Sequence, residues 1–124
     1  MSSDQSETQP PEGESQQSNC CPSVSLSLSE DELAADLQTL ATLGTDTRYE
    51  ALRLIAGADG AVCVCELEPA LGVSQGAVSQ ALSRLFSADL VERRKDGRWR
   101  YYTATPRAER LLDVLDETRA VAGD

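Results

Sequence analysis

Large apolar residues begin late in this chain and then recur with a changing period. Before Val24 the sequence is dominated by Ser, Gln, Glu, Pro and Gly. Such a stretch buries too little surface to offset the entropy of ordering it, so residues 1–29 are expected to be disordered. From Ser29 the pattern turns helical. Ser29 and Glu32 have the spacing of a capping box, and Leu33, Leu37, Leu40 and Ala41 follow at helical spacing. This predicts a first helix over about 30–43, ended by Gly44. Thr45 or Asp46 can cap a second helix with Tyr49, Leu52, Ile55 and Ala56 on its apolar face, stopping before Gly57.

Residues 61–67 are ambiguous by periodicity and fit a short strand running into a helix. Glu66 to Leu71 reads as one short helix closed by Gly72, and Ser74 caps a further helix over about 75–87. Val78, Leu82, Leu85 and Phe86 are its expected buried stripe. Leu90 to Arg94 reads as a strand, Asp96-Gly97 as a hairpin turn and Arg98 to Thr103 as the return strand. Alternation sends Trp99 and Tyr101 to one side of that strand and Arg98, Arg100 and Tyr102 to the other. Pro106 suits the first position of a last helix with Leu111, Leu112 and Leu115 on its apolar face. The expectation is a mainly α fold with one β-hairpin, folded over about 30–120.

The middle of this order has the logic of a helix-turn-helix. A short helix ends at Gly72, Val73 packs in the turn, and Ser74 caps a second helix that exposes Gln75, Ser79, Gln80 and Ser83. Those groups can hydrogen-bond base edges or phosphates, and Arg84 can reach a phosphate. Ala77 and Ala81 are small enough to let the helix lie deep in a major groove. The alternative is a plain solvated face on a core helix. The hairpin favours DNA. Residues 91–107 hold Arg93, Arg94, Lys95, Arg98, Arg100 and Arg107 against Glu92 and Asp96. A basic, Gly-tipped hairpin following such a helix is a wing, and Arg94, Lys95, Arg98 and Arg100 supply phosphate contacts that give affinity, not sequence reading.

Charge and composition narrow the classes. The 124 residues carry a net charge of −10, from 21 acidic and 11 basic side chains, with no His. Of the bases only Lys95 is Lys. The acid excess fits an ordinary soluble protein with an acidic tail or, as the few Lys and few large aromatics favour, a halophilic organism with a salty cytoplasm. Without His, neither a Ser-His-Asp triad nor a His-based zinc site can be built, and no phosphate-binding Gly loop is present, so an enzyme is not expected. No run of apolar residues is long enough to span a membrane, and the start lacks a signal peptide's basic and apolar segments. The expected location is cytoplasmic, where Cys20, Cys21, Cys63 and Cys65 stay reduced as ligands or reactive groups.

Four segments, in order, resemble the ArsR/SmtB family of metal-sensing winged-helix repressors. They are Leu40 to Arg48, Cys63-Val64-Cys65-Glu66-Leu67, Leu71 to Gln75 with Val78-Ser79, and Gly97 to Tyr102. The resemblance implies a homodimer formed through the first and last helices. Two recognition helices would then enter successive major grooves of a near-palindromic operator, roughly 34 Å apart. It also implies an inducer at the Cys63/Cys65 box, as in the arsenic-, antimony- and cadmium/lead-sensing branches. The family's last-helix zinc site needs His and cannot form here, leaving Asp113, Asp116 and Glu117 as surface charge.

Two thiolates are one short of what As(III) or Sb(III) prefer, and Glu68 stands where the arsenic-type box often has a third Cys. Cys20 or Cys21 can supply the missing sulfur from the same chain or its partner, and zinc, cadmium or lead are the alternative soft ions. In a regular helix, residues i and i+2 point about 200° apart, so Cys63 and Cys65 cannot share one ion unless the helix start is irregular or unwinds. The expected function is a metalloid-responsive repressor, released from operator DNA by arsenite or antimonite, with no cofactor needed for DNA binding. The alternatives are a winged-helix regulator switched by thiol oxidation, pairing Cys63 or Cys65 with Cys20 or Cys21, and a small thiol metal carrier.

Overall fold

The computed structural model describes residues 23–122, and their side chains through residue 119. Cys20, Cys21 and most of the tail expected to be disordered therefore lie outside the described residues. The chain divides into two units, Met1–Asp31 and Glu32–Asp124. Residues 23–29 carry no helix or strand. The elements run α1 (Glu30–Leu43), α2 (Asp46–Ala56), β1 (Val62–Cys63), α3 (Val64–Leu71), α4 (Gln75–Ser87), β2 (Val91–Asp96), β3 (Trp99–Ala104) and α5 (Pro106–Ala122). The three strands form one antiparallel sheet in the order β1-β3-β2.

Helices α1, α2 and α4 have the expected bounds because their ends are set by local chemistry. Ser74 Oγ accepts from the Ala77 N–H at 3.2 Å and starts α4. Arg48 closes α1 by donating to the Thr42 carbonyl at 2.9 Å, to the Ala41 carbonyl at 3.4 Å and to Thr45 Oγ1 at 2.6 Å. A guanidinium thus satisfies carbonyls that the last turn of a helix leaves open. Thr105 Oγ1 accepts from Ala108 N–H at 3.2 Å, with Pro106 at the first helical position as expected. Between α4 and β2, Leu90 N–H reaches the Leu85 carbonyl and Asp89 N–H the Phe86 carbonyl. That is a Schellman motif with Asp89, at φ 61°, in the left-handed position usually held by Gly.

The core lies between α2, α3, α4 and the sheet. Leu52, Ile55, Leu67, Val78, Leu82, Leu85, Leu90 and Val91 are its largest fully buried side chains. Tyr102 of β3 and Ala108 and Leu112 of α5 complete it.

Four details depart from the sequence expectations. Helix α3 begins at Val64, two residues before Glu66, because Cys63 serves as its cap. The hairpin register pairs Asp96 with Trp99, so the loop is Gly97-Arg98, one residue later than expected. Gly97 has φ 65°, a conformation that costs Gly little and other residues more. Phe86 is 42% exposed while Ala81 is buried, so the buried stripe of α4 is Val78, Ala81, Leu82 and Leu85. Ala81 therefore cannot serve a groove-facing role.

The fourth concerns α1. Its buried residues are Thr39 and Thr42, whereas Leu37 and Leu40 are 55% and 67% exposed. Arg107 explains the inversion. Its guanidinium donates to Thr39 Oγ1 at 2.7 Å and to the Ala88 carbonyl at 3.2 Å, so the polar side of α1 is turned inward. Arg107 thus belongs to the α1–α5 junction and not to the basic hairpin.

Candidate cysteine site and nucleic-acid interface

Cys63 ends β1 and caps α3. Its backbone is extended (φ −77°, ψ 143°), and its Sγ accepts from the Cys65 N–H at 3.3 Å. In return its own N–H donates to Glu66 Oε1 at 2.9 Å. This is a capping box with a thiol in place of a hydroxyl. Because Cys63 is not helical, the divergence expected of i and i+2 on a helix does not apply. The Cys65 thiol donates to Cys63 Sγ at 2.6 Å, with Cys63 buried and Cys65 exposed. The box is therefore already irregular at the point where two sulfurs have to converge. The Cys65 thiol is held above its ordinary range, chiefly by its hydrogen bond to Cys63 and next by desolvation, with the charge of Glu66 adding to the effect. Among the described residues no group of three or more Cys, Asp or Glu gathers as a metal cluster.

The same turn touches both the hairpin and α4. Cys63 pairs with Tyr101 of β3, and Tyr101 in turn pairs with Arg94 of β2. A cleft of 460 Å³ lies between the cysteine turn, the start of α4 and the tip of the hairpin. Cys63, Cys65, Gln75 and Ser79 line one part of it, and Lys95, Arg98, Trp99 and Arg100 line the other. Seven of the residues singled out in the sequence are thus brought to one place.

The others sit apart from that cleft. Gln80, Ser83 and Arg84 are exposed along α4, and Ser83 borders a smaller cavity shared with Arg93 and Arg100. Ser74 is exposed, with its hydroxyl committed to capping. Arg94 lies over the Tyr101 ring, 5.2 Å from its centroid.

Sequence reasoning missed the role of Arg93. Its guanidinium sits 4.2 Å above the centroid of Phe86, which ties the hairpin to the outer face of α4. Placing Phe86 in the core hid this contact. Two helices joined across Gly72, at φ 69°, with a basic hairpin folded beside the second, make a winged helix-turn-helix.

Residues 45–93 match the family described as bacterial regulatory protein, arsR family. A Halobacterium salinarum protein named as arsenical resistance operon repressor ArsR2 is 56% identical over 102 residues, spanning 82% of this chain and 86% of the relative. This chain belongs to the ArsR family. A second H. salinarum protein, named as arsenical resistance operon repressor ArsR, is 46% identical over 87 residues, spanning 70% of this chain and 67% of the relative. The fold also matches the solution structure of a homodimeric winged helix-turn-helix DNA-binding domain from Mycobacterium bovis. That match has a TM-score of 0.68 and 23% identity over 80% of this chain and 91% of the other.

As an ArsR-family member the chain is a DNA-binding transcriptional regulator, a non-enzymatic class. Among the described residues no helix is long and apolar enough to cross a membrane. Asp116 stands at the surface, where it accepts from Arg53 at 2.8 and 3.2 Å and from Arg119 at 3.0 Å, tying α5 to α2. Those two guanidinium groups, Arg53 foremost, hold its carboxyl below the usual carboxylate range.

Proposed function

We propose that this ArsR-family regulator represses transcription as a homodimer and is released from operator DNA when a trivalent metalloid binds Cys63 and Cys65. The observation that carries the reading is the convergence of the two thiols on the N-cap of α3, the first helix of the helix-turn-helix. Arsenite has three exchangeable hydroxyls. Two thiols displace two of them, forming two As–S bonds and two waters, and a third thiol from Cys20 or Cys21 displaces the last.

The cap links ligand to DNA. A sulfur bound to arsenic is drawn from the Cys65 N–H, and losing an N-cap typically costs a helix about 0.5–2 kcal/mol. The ligand therefore favours a state in which the start of α3 is loosened, and DNA favours the capped state. Such opposed preferences are what coupling between two sites requires. Gln75, Ser79, Gln80 and Ser83 of α4 face the major groove in this reading, and Arg94, Lys95, Arg98 and Arg100 hold phosphates.

Dimerisation is supported by the exposed apolar residues on the terminal helices, Leu37 and Leu40 on α1 and Val114 and Leu115 on α5. An intramolecular core does not cover them, and a fold of about 90 residues gains from burying them against a second copy. The acidic body supports a working environment of high salt in the cytoplasm, with the bases concentrated at the hairpin.

The test is fluorescence anisotropy of the duplex upstream of the chain's own gene, in high-potassium buffer with reductant. Arsenite is titrated against wild type, Cys63→Ser and Cys65→Ser. Release of wild type alone is the expected result, and equal release of all three proteins contradicts the reading. The contact between the thiols also favours a second reading, a switch by oxidation. There hydrogen peroxide takes two protons and two electrons from the Cys63 and Cys65 thiols, leaving a disulfide and two waters, in place of the pairing with Cys20 or Cys21 expected from the sequence. Release by peroxide with no response to arsenite selects that reading.

A further inference from the structure

Where the chain leaves α4, the carbonyls of Ser87, Ala88, Asp89 and Leu90 follow one another. Each is taken by a donor from α1 or from the start of α5. Gln38 Nε2 donates to the Ser87 carbonyl at 3.4 Å, and Arg107 Nη1 to the Ala88 carbonyl at 3.2 Å. Thr105 donates its hydroxyl to the Asp89 carbonyl at 3.0 Å and its N–H to the Leu90 carbonyl at 3.1 Å. The other end of the Arg107 guanidinium donates to Thr39 Oγ1 of α1 at 2.7 Å. A cation at this place also suits the negative end of the α4 dipole.

The joint is polar on the α1 side. Thr39 and Thr42 are the buried residues of α1, while Leu37 and Leu40 are exposed. The middle of α1 is thus tied to the end of α4 by directed hydrogen bonds and not by interlocking apolar side chains. Hydrogen bonds weaken steeply as their angle opens, whereas apolar contact has no preferred direction. Such a joint holds one rotation between the two helices, where a greasy one would let them slip.

We infer that Arg107, with Thr39 as its partner, is a positioning residue that sets the half-site spacing the dimer accepts on DNA. It acts through the last carbonyls of α4, not by touching the duplex. In a dimer formed through α1 and α5, this joint carries each α4 at a fixed distance and rotation from the two-fold axis. One base pair added between half-sites moves one of them by about 3.4 Å along the duplex and about 35° around it. A stiff joint cannot follow that movement, and a loosened joint can. Arg107 therefore decides which operators are refused, and leaves the hold on a single half-site unchanged.

The assignment rests on the homodimer proposed above, and its test separates the two. Full-length wild type, Arg107→Ala and Thr39→Val are titrated by anisotropy against the duplex upstream of the chain's own gene, the same duplex with one base pair added at its centre of symmetry, and a single half-site. Wild type is expected to bind the lengthened duplex about tenfold more weakly than the native one. Both variants are expected to bring those two affinities together. They should keep wild-type affinity for the half-site and the wild-type salt slope, because Arg107 takes up no phosphate. Plain loss of stability would lower all three affinities by one factor and leave their ratios in place. Thr39→Val keeps the shape of the side chain and removes only its oxygen, so it decides the matter if Arg107→Ala melts below the assay temperature. A wild-type spacing ratio in the folded variants overturns the assignment alone, as does a wild-type dimer that binds both duplexes equally. Wild type that sediments as a monomer, free and on DNA, removes the homodimer reading and the assignment with it.

Discussion

The sulfur of Cys63 accepts the backbone N–H of Cys65 at 3.3 Å, so the atom proposed as a soft ligand is also the N-cap of α3. The two roles separate by substitution. Cys63→Ser keeps an acceptor that caps well and removes the thiol, so it is expected to melt near wild type, bind DNA and ignore arsenite. Cys63→Ala removes both roles and is expected to lose about 0.5–2 kcal/mol of stability and to bind DNA more weakly even without arsenite. Thermal melts alongside DNA titrations check the pair. Equal DNA affinity of the Ala and Ser variants would contradict coupling through the cap.

Arg107 gives a contrast between structural and DNA-facing arginines. It joins Thr39 of α1 to the Ala88 carbonyl through different nitrogens of one guanidinium. Arg107→Ala is expected to cost about 1–3 kcal/mol, because Thr39 is buried and loses its donor. Lys places one charge where two directed donors are needed and should restore little. Urea unfolding measures both variants.

At the hairpin the signature is different. Arg98→Ala or Arg100→Ala is expected to weaken DNA binding to all sequences alike and to lower the salt slope by about one unit each, with little effect on melting. Gln75→Ala should change which operator sequence is preferred and leave the slope in place. Titrations at several potassium concentrations, on operator and scrambled duplexes, distinguish the two behaviours.

Asp116 contributes one pH-dependent contact. Its folded carboxyl titrates below its ordinary value of 3.8, held there by Arg53 and then Arg119. A depressed acid contributes stability that is full above the unfolded value and is lost as pH falls through the folded one. Asp116→Asn is therefore expected to be less stable than wild type at neutral pH, with the difference closing below pH 3.8. Melting temperatures of both proteins across that range decide it, and a gap that stays constant down to the lowest pH would contradict it.

The exposed leucines test the dimer. Leu40→Glu and Leu115→Glu place a charge on faces that the monomer leaves open. Each is expected to shift sedimentation from dimer to monomer with unchanged helical circular dichroism. Loss of helical signal with either would instead place that leucine in the monomer's own core.

Periodicity and capping residues were enough to place α1, α2, α4 and the hairpin, because Gly44, Ser74, Gly97 and Pro106 act on their own neighbours in sequence. The C-x-C spacing, the basic hairpin and the polar face of α4 were likewise legible, since each is a pattern within one short segment. The third dimension decided what those patterns do. Periodicity alone could not show that Phe86 lies outside the core under Arg93, or that Arg107 turns the threonine side of α1 inward, since each contact joins distant parts of the chain. The spacing of Cys63 and Cys65 implied divergence on a helix. Only the pairing of β1 with β3 fixes Cys63 as an extended cap, and that pairing brings two thiols and Trp99 to one cleft between helix and wing.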